Sequence, residues 1–326
     1  MKSELQPTNG RRFQSPLVIG TRGSRLALWQ ARYVAGRLSK RGIPTRLEVI
    51  RTKGDLDQTT PLPKIGDKGL FTAELDAALV EGRIDVAVHS LKDLSTELPP
   101  ELTLAAVPER GSPYDALVSA AGALRSLSEL PAGARIGSSS LRRTAQLLAR
   151  RPDLTMDALR GNVETRLRKL DEGAYDAIIL AEAGLERLGF ADRISYRFDL
   201  HELMPAVGQG ALGIVCSSAR ADTAGLLRET LNDSATENAV TAERAFLRAL
   251  EGGCQVPVGG HAEIRRDGML QLRGVVASLD GSVIHADAIE SGLENPAATG
   301  RRLAERLLEM GADEILSSIR PVDTSC

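Results

Sequence analysis

The sequence predicts an α/β protein of three domains, in which two α/β domains precede a smaller α+β domain with a three-stranded antiparallel sheet. A chain of 326 residues exceeds what one hydrophobic core usually supports. Strand-like and helical patterns alternate over the first third, and the alternation restarts near Pro113. From Ala262 three strand-like segments follow one another, which indicates an antiparallel sheet.

The first pattern opens with an apolar run from Pro16 to Gly20 and a helix with apolar residues at three- and four-residue spacing, from Leu28 to Leu38. Strand-like RLEVIRT, the turn-rich KGDLDQTTPLPKIGDKG, a short apolar helix and strand-like IDVAVHS come next. The turn-rich stretch is a candidate mobile loop. The second pattern passes from strand to helix three times, and an amphipathic helix from about Ala297 to Met310 follows the antiparallel segments.

Composition argues against several classes of protein. An aromatic fraction of 3% and a net charge of -2 disfavour a nucleic-acid partner, which needs stacking platforms or a basic excess. The sequence contains no apolar run of membrane-spanning length and no signal peptide, so we expect no membrane partner and a cytoplasmic location. The three cysteines form no CxxC pair and the four histidines have no ligand spacing, so we expect no metal.

Arginines make up 34 of the 41 basic residues. GC-rich codon usage explains such a total as well as anion binding does, so only arginines at special positions count as evidence. In GSSSLRRTAQ, three serines offer N-cap hydroxyls and place Arg142 and Arg143 in a first helical turn. The helix macrodipole disfavours cations there and favours an anion, so a bound anion explains the pair better than solvent exposure does.

Further polar residues follow predicted strands at their carboxyl ends, where open α/β sheets bind ligands. They indicate a polycarboxylate or phosphate site, and they are Arg22, Ser24, Arg160, Arg166 and Arg187. Lys92 and Asp93 end the strand IDVAVHS, where a carboxylate can act as general acid, general base or counter-charge for a cation. A surface ion pair or a turn cap explains Asp93 equally well.

Two glycine-rich segments complete the set. VGQGALG satisfies GxGxxG formally but runs into a strand, which favours a crossover between domains over a nucleotide site. EGGCQVPVGG places Cys254 in a loop entering the third domain, and the residues alone assign it no role. Cys216 fits a core strand and Cys326 a terminus.

In combination these motifs resemble the porphobilinogen deaminase family, also called hydroxymethylbilane synthases. The resemblance runs in order from about Ile19 to His261, through TRGSRLALWQ, KGLF, DVAVHSLKDL, GSSSLRR, LRGNVETRL, YDAIILAEAGLERL, PAVGQGALGI and EGGCQVPVG. It implies two periplasmic-binding-protein-like α/β domains with mixed sheets. The implied boundaries are residues 17–108 with 206–230, then 109–205, then 231–326, after a disordered tail over 1–16.

The resemblance also implies the chemistry. Four porphobilinogen molecules condense head to tail, each losing ammonia, onto a dipyrromethane cofactor held by a thioether to Cys254, and linear hydroxymethylbilane is released. Asp93 is implied as the catalytic residue. Cofactor contacts are implied for Lys92, Ser140, Arg142, Arg143, Arg166 and Gln209. Substrate contacts are implied for Arg22, Ser24, Arg160, Arg166 and Arg187. A lid is implied for the loop carrying Lys64, Lys68 and Phe71. The same resemblance implies a monomer that hands its product to uroporphyrinogen-III synthase.

Two other classes of function fit parts of the pattern. A ligand-binding module, such as a solute-binding protein or a regulator domain, shares the two α/β lobes but needs neither Asp93 nor Cys254. It conflicts with the lack of an export signal and of an N-terminal helix-turn-helix. An anion-dependent transferase that uses Cys254 as a transient nucleophile predicts a free thiol in the resting protein.

Overall fold

A computed structural model describes residues 15–52, 72–250 and 256–319. The predicted disordered tail falls outside this range except for Ser15 and Pro16, and so do the whole turn-rich stretch and residues 251–255 around Cys254. Within the described residues, no helix is both long and apolar enough to cross a membrane.

The first sheet contains β1 (Leu17–Thr21), β2 (Thr45–Val49), β3 (Val86–Ser90), β4 (Leu102–Ala106) and β10 (Leu212–Ser217), in the order β2-β1-β3-β10-β4. β1 is parallel to β2 and β3, whereas β10 is antiparallel to β3 and β4. Packed against it are α1 (Arg25–Ser39), α2 (Ala73–Val80) and α6 (Ala221–Leu231). The late strand β10 therefore lies inside a sheet that the beginning of the chain otherwise builds.

The second sheet repeats the same sequence of strand directions. It contains β5 (Asp115–Ser119), β6 (Arg135–Gly137), β7 (Thr155–Asp157), β8 (Ala177–Ala181) and β9 (Tyr196–Arg197), in the order β7-β6-β8-β5-β9. β6 is parallel to β7 and β8, and β5 is antiparallel to β8 and β9. Its helices are α3 (Leu141–Leu148), α4 (Val163–Asp171) and α5 (Glu182–Leu188).

The third sheet is antiparallel, with β11 (Val258–Ile264), β12 (Leu270–Ala277) and β13 (Ile284–Ser291) in sequence order. Its core includes Phe246 of α7 (Ser234–Ala249) and Leu303 of α8 (Pro296–Leu307), and α9 (Asp313–Ile319) follows. Two mixed α/β sheets and one three-stranded antiparallel sheet confirm the predicted fold class. The domain boundaries stay a prediction.

The structure corrects the C-terminal helix. It begins at Pro296, where the Asn295 side chain accepts a hydrogen bond from the Ala298 amide at 3.0 Å. Its α-helical part ends at Leu307, earlier than the predicted Met310. A π-helical turn over Leu308–Ala312 follows, in which Gly311 departs from helical geometry at a φ of 104°, before α9 begins. The patterns also gave no indication of β4, β9 or α6.

Candidate functional site

Lys92 and Asp93 lie where β3 ends in a single turn of 3-10 helix, Leu91–Asp93. Leu91 and Leu94 on either side are buried, and the Leu91 amide donates to the Ala211 carbonyl at 3.0 Å. This anchoring leaves Lys92 half-buried and Asp93 exposed between two core residues. The local sequence therefore fixes the backbone that carries two charged residues and leaves Asp93 exposed.

The turn after β1 adds Arg22 and Ser24 at the same edge of the first sheet. Ser24 is the N-cap of α1, and its hydroxyl accepts from the Ala27 amide at 3.3 Å. Burial first, and then the charge of Arg22, lower the pKa of His89 on β3 to about 4. Arg22 therefore lies close to His89 on β3, the strand that leads into the turn carrying Asp93.

The second sheet contributes Arg142 and Arg143 from the first turn of α3, as the sequence predicted. Ser140 is the N-cap residue, but its hydroxyl makes no capping hydrogen bond, contrary to expectation. Both arginines are buried and bind the carboxylate of Asp115. An anion does explain them, as the macrodipole argument required, but in this structure that anion is a side chain of the protein itself.

Asp115 escaped the sequence prediction. It begins β5 and is fully buried, although acidic residues are rarely buried without a partner. Burial raises the pKa of Asp115, but Arg142 and Arg143 outweigh that effect and hold it well below its usual range. An acidic residue opening the apolar strand segment DALVS was the available signal.

The turn between β7 and α4 positions Arg160 and Arg166. Gly161 adopts a φ of +112°, which favours glycine, and Asn162 then caps the Thr165 amide at 2.8 Å. Arg166 folds back so that its Nε donates to the Gly161 carbonyl at 2.8 Å. Among the described residues, Nη1 of Arg160 is buried and has no hydrogen-bond partner.

These groups influence one another across the two sheets. The pKa of Lys92 falls to about 8, mainly through burial, while Asp93 opposes that fall and Arg143 adds to it. Lys92 is half-buried, so its side chain keeps some contact with water although protein surrounds most of it. Burial likewise lowers the pKa of Arg166 to about 10, and the charge of Asp93 partly offsets it.

Two other residues that the sequence predicted to contact cofactor or substrate make contacts at the crossover between the two mixed sheets. Nη2 of Arg187 donates to the Gly210 carbonyl at 2.5 Å, and its guanidinium lies 5.4 Å from the centroid of the Trp29 ring. Gln209 is fully buried, and its Nε2 donates to Asp115 at 3.0 Å. Its Oε1 has no hydrogen-bond partner in the described chain. Arg187, on a helix of the second sheet, therefore connects that sheet to α1 and to the crossover at Gly210.

Several predicted residues lie outside the described part of the chain, namely Cys254, Lys64, Lys68 and Phe71. Cys216 is buried in β10, as the sequence indicated. Arg25, beside Ser24, pairs with Glu164 of α4 at 3.1 Å and so links α1 to the second lobe.

Comparison with known proteins decides the family. A family model described as "Porphobilinogen deaminase, dipyromethane cofactor binding domain" matches residues 17–225, and the corresponding C-terminal domain matches residues 238–309. The chain belongs to the porphobilinogen deaminase family. Relatives named porphobilinogen deaminase include one from Desulforudis audaxviator, 55% identical over 93% of this chain and 98% of the relative. Another, from Syntrophotalea carbinolica, is 50% identical over 94% of this chain and 96% of the relative.

A periplasmic substrate-binding protein of an ABC transporter from Coxiella burnetii aligns with 70% of this chain and 96% of its own. The identity is 13% and the TM-score 0.43, so no conclusion rests on that likeness. The porphobilinogen deaminase family gives the activity. The chain is a transferase of tetrapyrrole biosynthesis that condenses four porphobilinogen molecules, with loss of ammonia, on a dipyrromethane cofactor and releases linear hydroxymethylbilane.

The described residues fit that cofactor. Each pyrrole unit carries an acetate and a propionate, so the ligand presents carboxylates to the protein. Guanidinium groups suit carboxylates because they offer parallel N-H donors. The buried Nη1 of Arg160, which lacks a partner in the described chain, is a donor of this kind. The donor set therefore agrees with a porphobilinogen deaminase site.

Proposed function

We propose that Cys254 holds the dipyrromethane by a thioether and that Asp93 is the catalytic residue beside it. The observation that supports the placement of Asp93 is electrostatic. Burial lowers the pKa of Arg166 on α4, and the charge of Asp93, in the turn after β3, raises it. The charges of Arg142 and Arg143 on α3 lower the pKa of Lys92 beside Asp93. One acidic group thus faces a group of cations, where a polycarboxylate ligand can bind close to it.

When bound, the cofactor would supply the pyrrole position to which the first unit is joined, and each later unit would join the end of the growing chain. The Asp93 carboxylate stabilises the positive charge that develops on pyrrole rings during the joining step, and it can accept or return a proton. Arginine side chains neutralise the acetates and propionates and hold the rings in register. The residues that contact the cofactor are Arg142, Arg143, Arg166, Lys92, Ser140 and Gln209. Those that contact the substrate are Arg22, Ser24, Arg160, Arg166 and Arg187.

The attachment is tested by the intact mass of the denatured protein. We expect an increment equal to two condensed pyrrole units, absent from Cys254→Ser. Cys216→Ser is the matched control, because Cys216 is buried in β10, and it should keep the increment. A bare wild-type chain that stays bare after incubation with porphobilinogen would contradict the thioether at Cys254.

Arg160 should matter for substrate binding and hardly at all for stability. Arg160→Leu removes a donor that has no partner in the described chain, so we expect a stability change within about 0.5 kcal/mol. Loss of a hydrogen bond to a charged group should raise KM for porphobilinogen about tenfold or more. Steady-state kinetics and thermal melting measure both quantities.

Arg168→Leu is the matched control, since Arg168 lies on α4, the helix that follows Arg160, but is exposed and paired with Glu172. Its kinetics should equal those of the wild type. An unchanged KM in Arg160→Leu would remove Arg160 from the site.

Lys92 should give ligand binding a pH dependence. Because its pKa is about 8, Lys92 loses its charge as the pH rises past 8, and KM should increase between pH 7 and 9. Lys92→Arg should keep its charge and show a flatter profile. Because the pKa of Lys92 is lower in the folded protein than in the unfolded chain, the unfolded chain binds this proton more tightly. The charged Lys92 therefore lowers the free energy of unfolding by its full amount below pH 8, and this destabilisation disappears as the pH rises from 8 to 10.5. Identical KM profiles for both proteins would exclude this role.

The proposal also covers where the protein is located, its oligomeric state and the enzyme that receives its product. Family resemblance supports a cytoplasmic monomer that hands hydroxymethylbilane to uroporphyrinogen-III synthase. Light scattering on the purified chain would test the monomer, because a mass of twice 34.8 kDa would contradict it.

A further inference from the structure

Among the residues that the structure describes, Asp115 is the carboxylate that contacts both arginines at the start of α3. Its Oδ2 accepts from Nη1 of Arg142 at 2.7 Å, and its Oδ1 accepts from Nη2 and Nε of Arg143 at 2.7 and 3.1 Å. Nε2 of Gln209 also donates to Oδ1 at 3.0 Å. Asp115 is fully buried beneath these side chains, so it is bound by three polar groups of the protein itself.

Backbone carbonyls complete the support. Nη1 of Arg142 also donates to the Met204 carbonyl at 2.7 Å, and Nη1 of Arg143 donates to the Ile179 carbonyl at 2.9 Å. Within the described chain, the side-chain hydrogen bonds of Arg142 use only Nη1, which leaves Nε and Nη2 for a ligand. One edge of the guanidinium is therefore fixed while the other can receive a carboxylate.

Without Asp115 this arrangement would be unfavourable. Two guanidiniums adjacent in a first helical turn repel each other and the positive end of the helix dipole. Burial lowers the pKa of Arg142 and Arg143 lowers it further, whereas Asp115 raises it. An unpaired buried guanidinium would leave this position for solvent.

We propose that Asp115 is a positioning residue that holds Arg142 and Arg143 in place before the primer arrives, so that the free edge of Arg142 can receive a ligand carboxylate. This inference rests on the proposed function, in which the two arginines bind the primer. Asp115 does not need to touch the ligand. Its contribution is pre-organisation, which lowers the ordering cost of binding.

Primer loading is the step that should depend on this arrangement. We would express the full chain in cells unable to make porphobilinogen, then add porphobilinogen and follow the gain in intact mass. Asp115→Asn should load about tenfold to a hundredfold more slowly than the wild type. Loading of Asp115→Asn at the wild-type rate would overturn the proposal.

A matched control separates positioning from general loss of stability. Glu243 is also fully buried and accepts from both terminal nitrogens of one arginine, Arg110, at 2.6 and 3.2 Å. Glu243→Gln should lower the melting temperature as Asp115→Asn does, yet load at the wild-type rate well below that temperature. Equal slowing in both variants would make the Asp115 effect merely structural.

Two further variants keep the test decisive. If Asp115→Asn does not fold, Asp115→Glu retains the charge but displaces both guanidiniums, so it should fold and still load slowly; wild-type loading there would also overturn the proposal. The double variant with Arg142→Leu should load no more slowly than Arg142→Leu alone, because Asp115 acts through that arginine. Additive slowing would contradict this. If Arg142→Leu alone loads normally, the proposed role of Arg142 fails instead.

Discussion

Asp93→Asn should lower kcat by about 10²–10³-fold, because a fixed carboxylate aimed at developing charge is usually among the largest single contributions to catalysis. Asp93 is exposed at the end of the turn that follows β3, between the buried residues Leu91 and Leu94. Its side chain therefore contributes little to the core, and the melting temperature should stay near that of the wild type. Single-turnover kinetics and thermal melting measure the two effects separately.

Glu97→Gln is the control for Asp93→Asn. Glu97 is a surface carboxylate four residues further on, paired with Arg248, and its loss should leave kcat unchanged. Primer content should be measured in both variants, so that a loading defect is not mistaken for slow chemistry. A normal kcat in primer-loaded Asp93→Asn would remove Asp93 from the reaction.

Glu243→Gln should destabilise the protein by about 3–5 kcal/mol, since removing one partner of a buried ion pair leaves the other charge uncompensated. Besides Arg110, Glu243 accepts from the amides of Gly208 at 2.7 Å and Ala262 at 2.8 Å. It thus connects α7 with the crossover before β10 and with β11. Chemical denaturation at neutral pH measures the loss, and at low temperature the variant should turn over normally.

The pH dependence identifies the cause of that loss. Burial raises the pKa of Glu243, but Arg110 and His261 reverse the effect and hold it at about 2. A carboxylate with a lowered pKa stabilises the fold above its unfolded value of about 4.5 and loses that contribution as the pH falls toward 2. The difference between wild type and variant should therefore shrink over that interval. A constant difference would point to packing instead of charge.

The sequence predicted most of the fold because the patterns are local. Apolar runs and helical spacing gave the strands and helices up to the third sheet, and the segment after Gln209 was correctly read as a strand, now β10. The strand Leu102–Ala106 and the helix Ala221–Leu231 were missed. Two of the five residues of that strand are half-buried, and only Thr223, Leu227 and Leu231 are buried in that helix, so neither pattern is strong.

The candidate site was predictable to the extent that its residues follow strands. Arg142, Arg160 and Asp93 could be chosen because each comes directly after a strand-like run. The partners of those residues could not, since Asp115 and Arg142 meet only through tertiary structure, and a backbone carbonyl such as that of Met204 has no sequence signature. The periodicity of a segment predicts which of its side chains are buried, but it does not predict which charged residue from a distant segment lies beside them.

The position of β10 has a consequence for biosynthesis of the chain. The first sheet lacks the strand that joins β3 to β4 until Leu212–Ser217 has been made, after the whole second sheet. The N-terminal lobe therefore cannot close its core as it leaves the ribosome, although domains generally fold in the order of synthesis. Pairing of strands so distant in sequence also slows folding. Until that strand arrives, β3 and β4 present unpaired edges, and during that time the nascent protein depends on protection from aggregation.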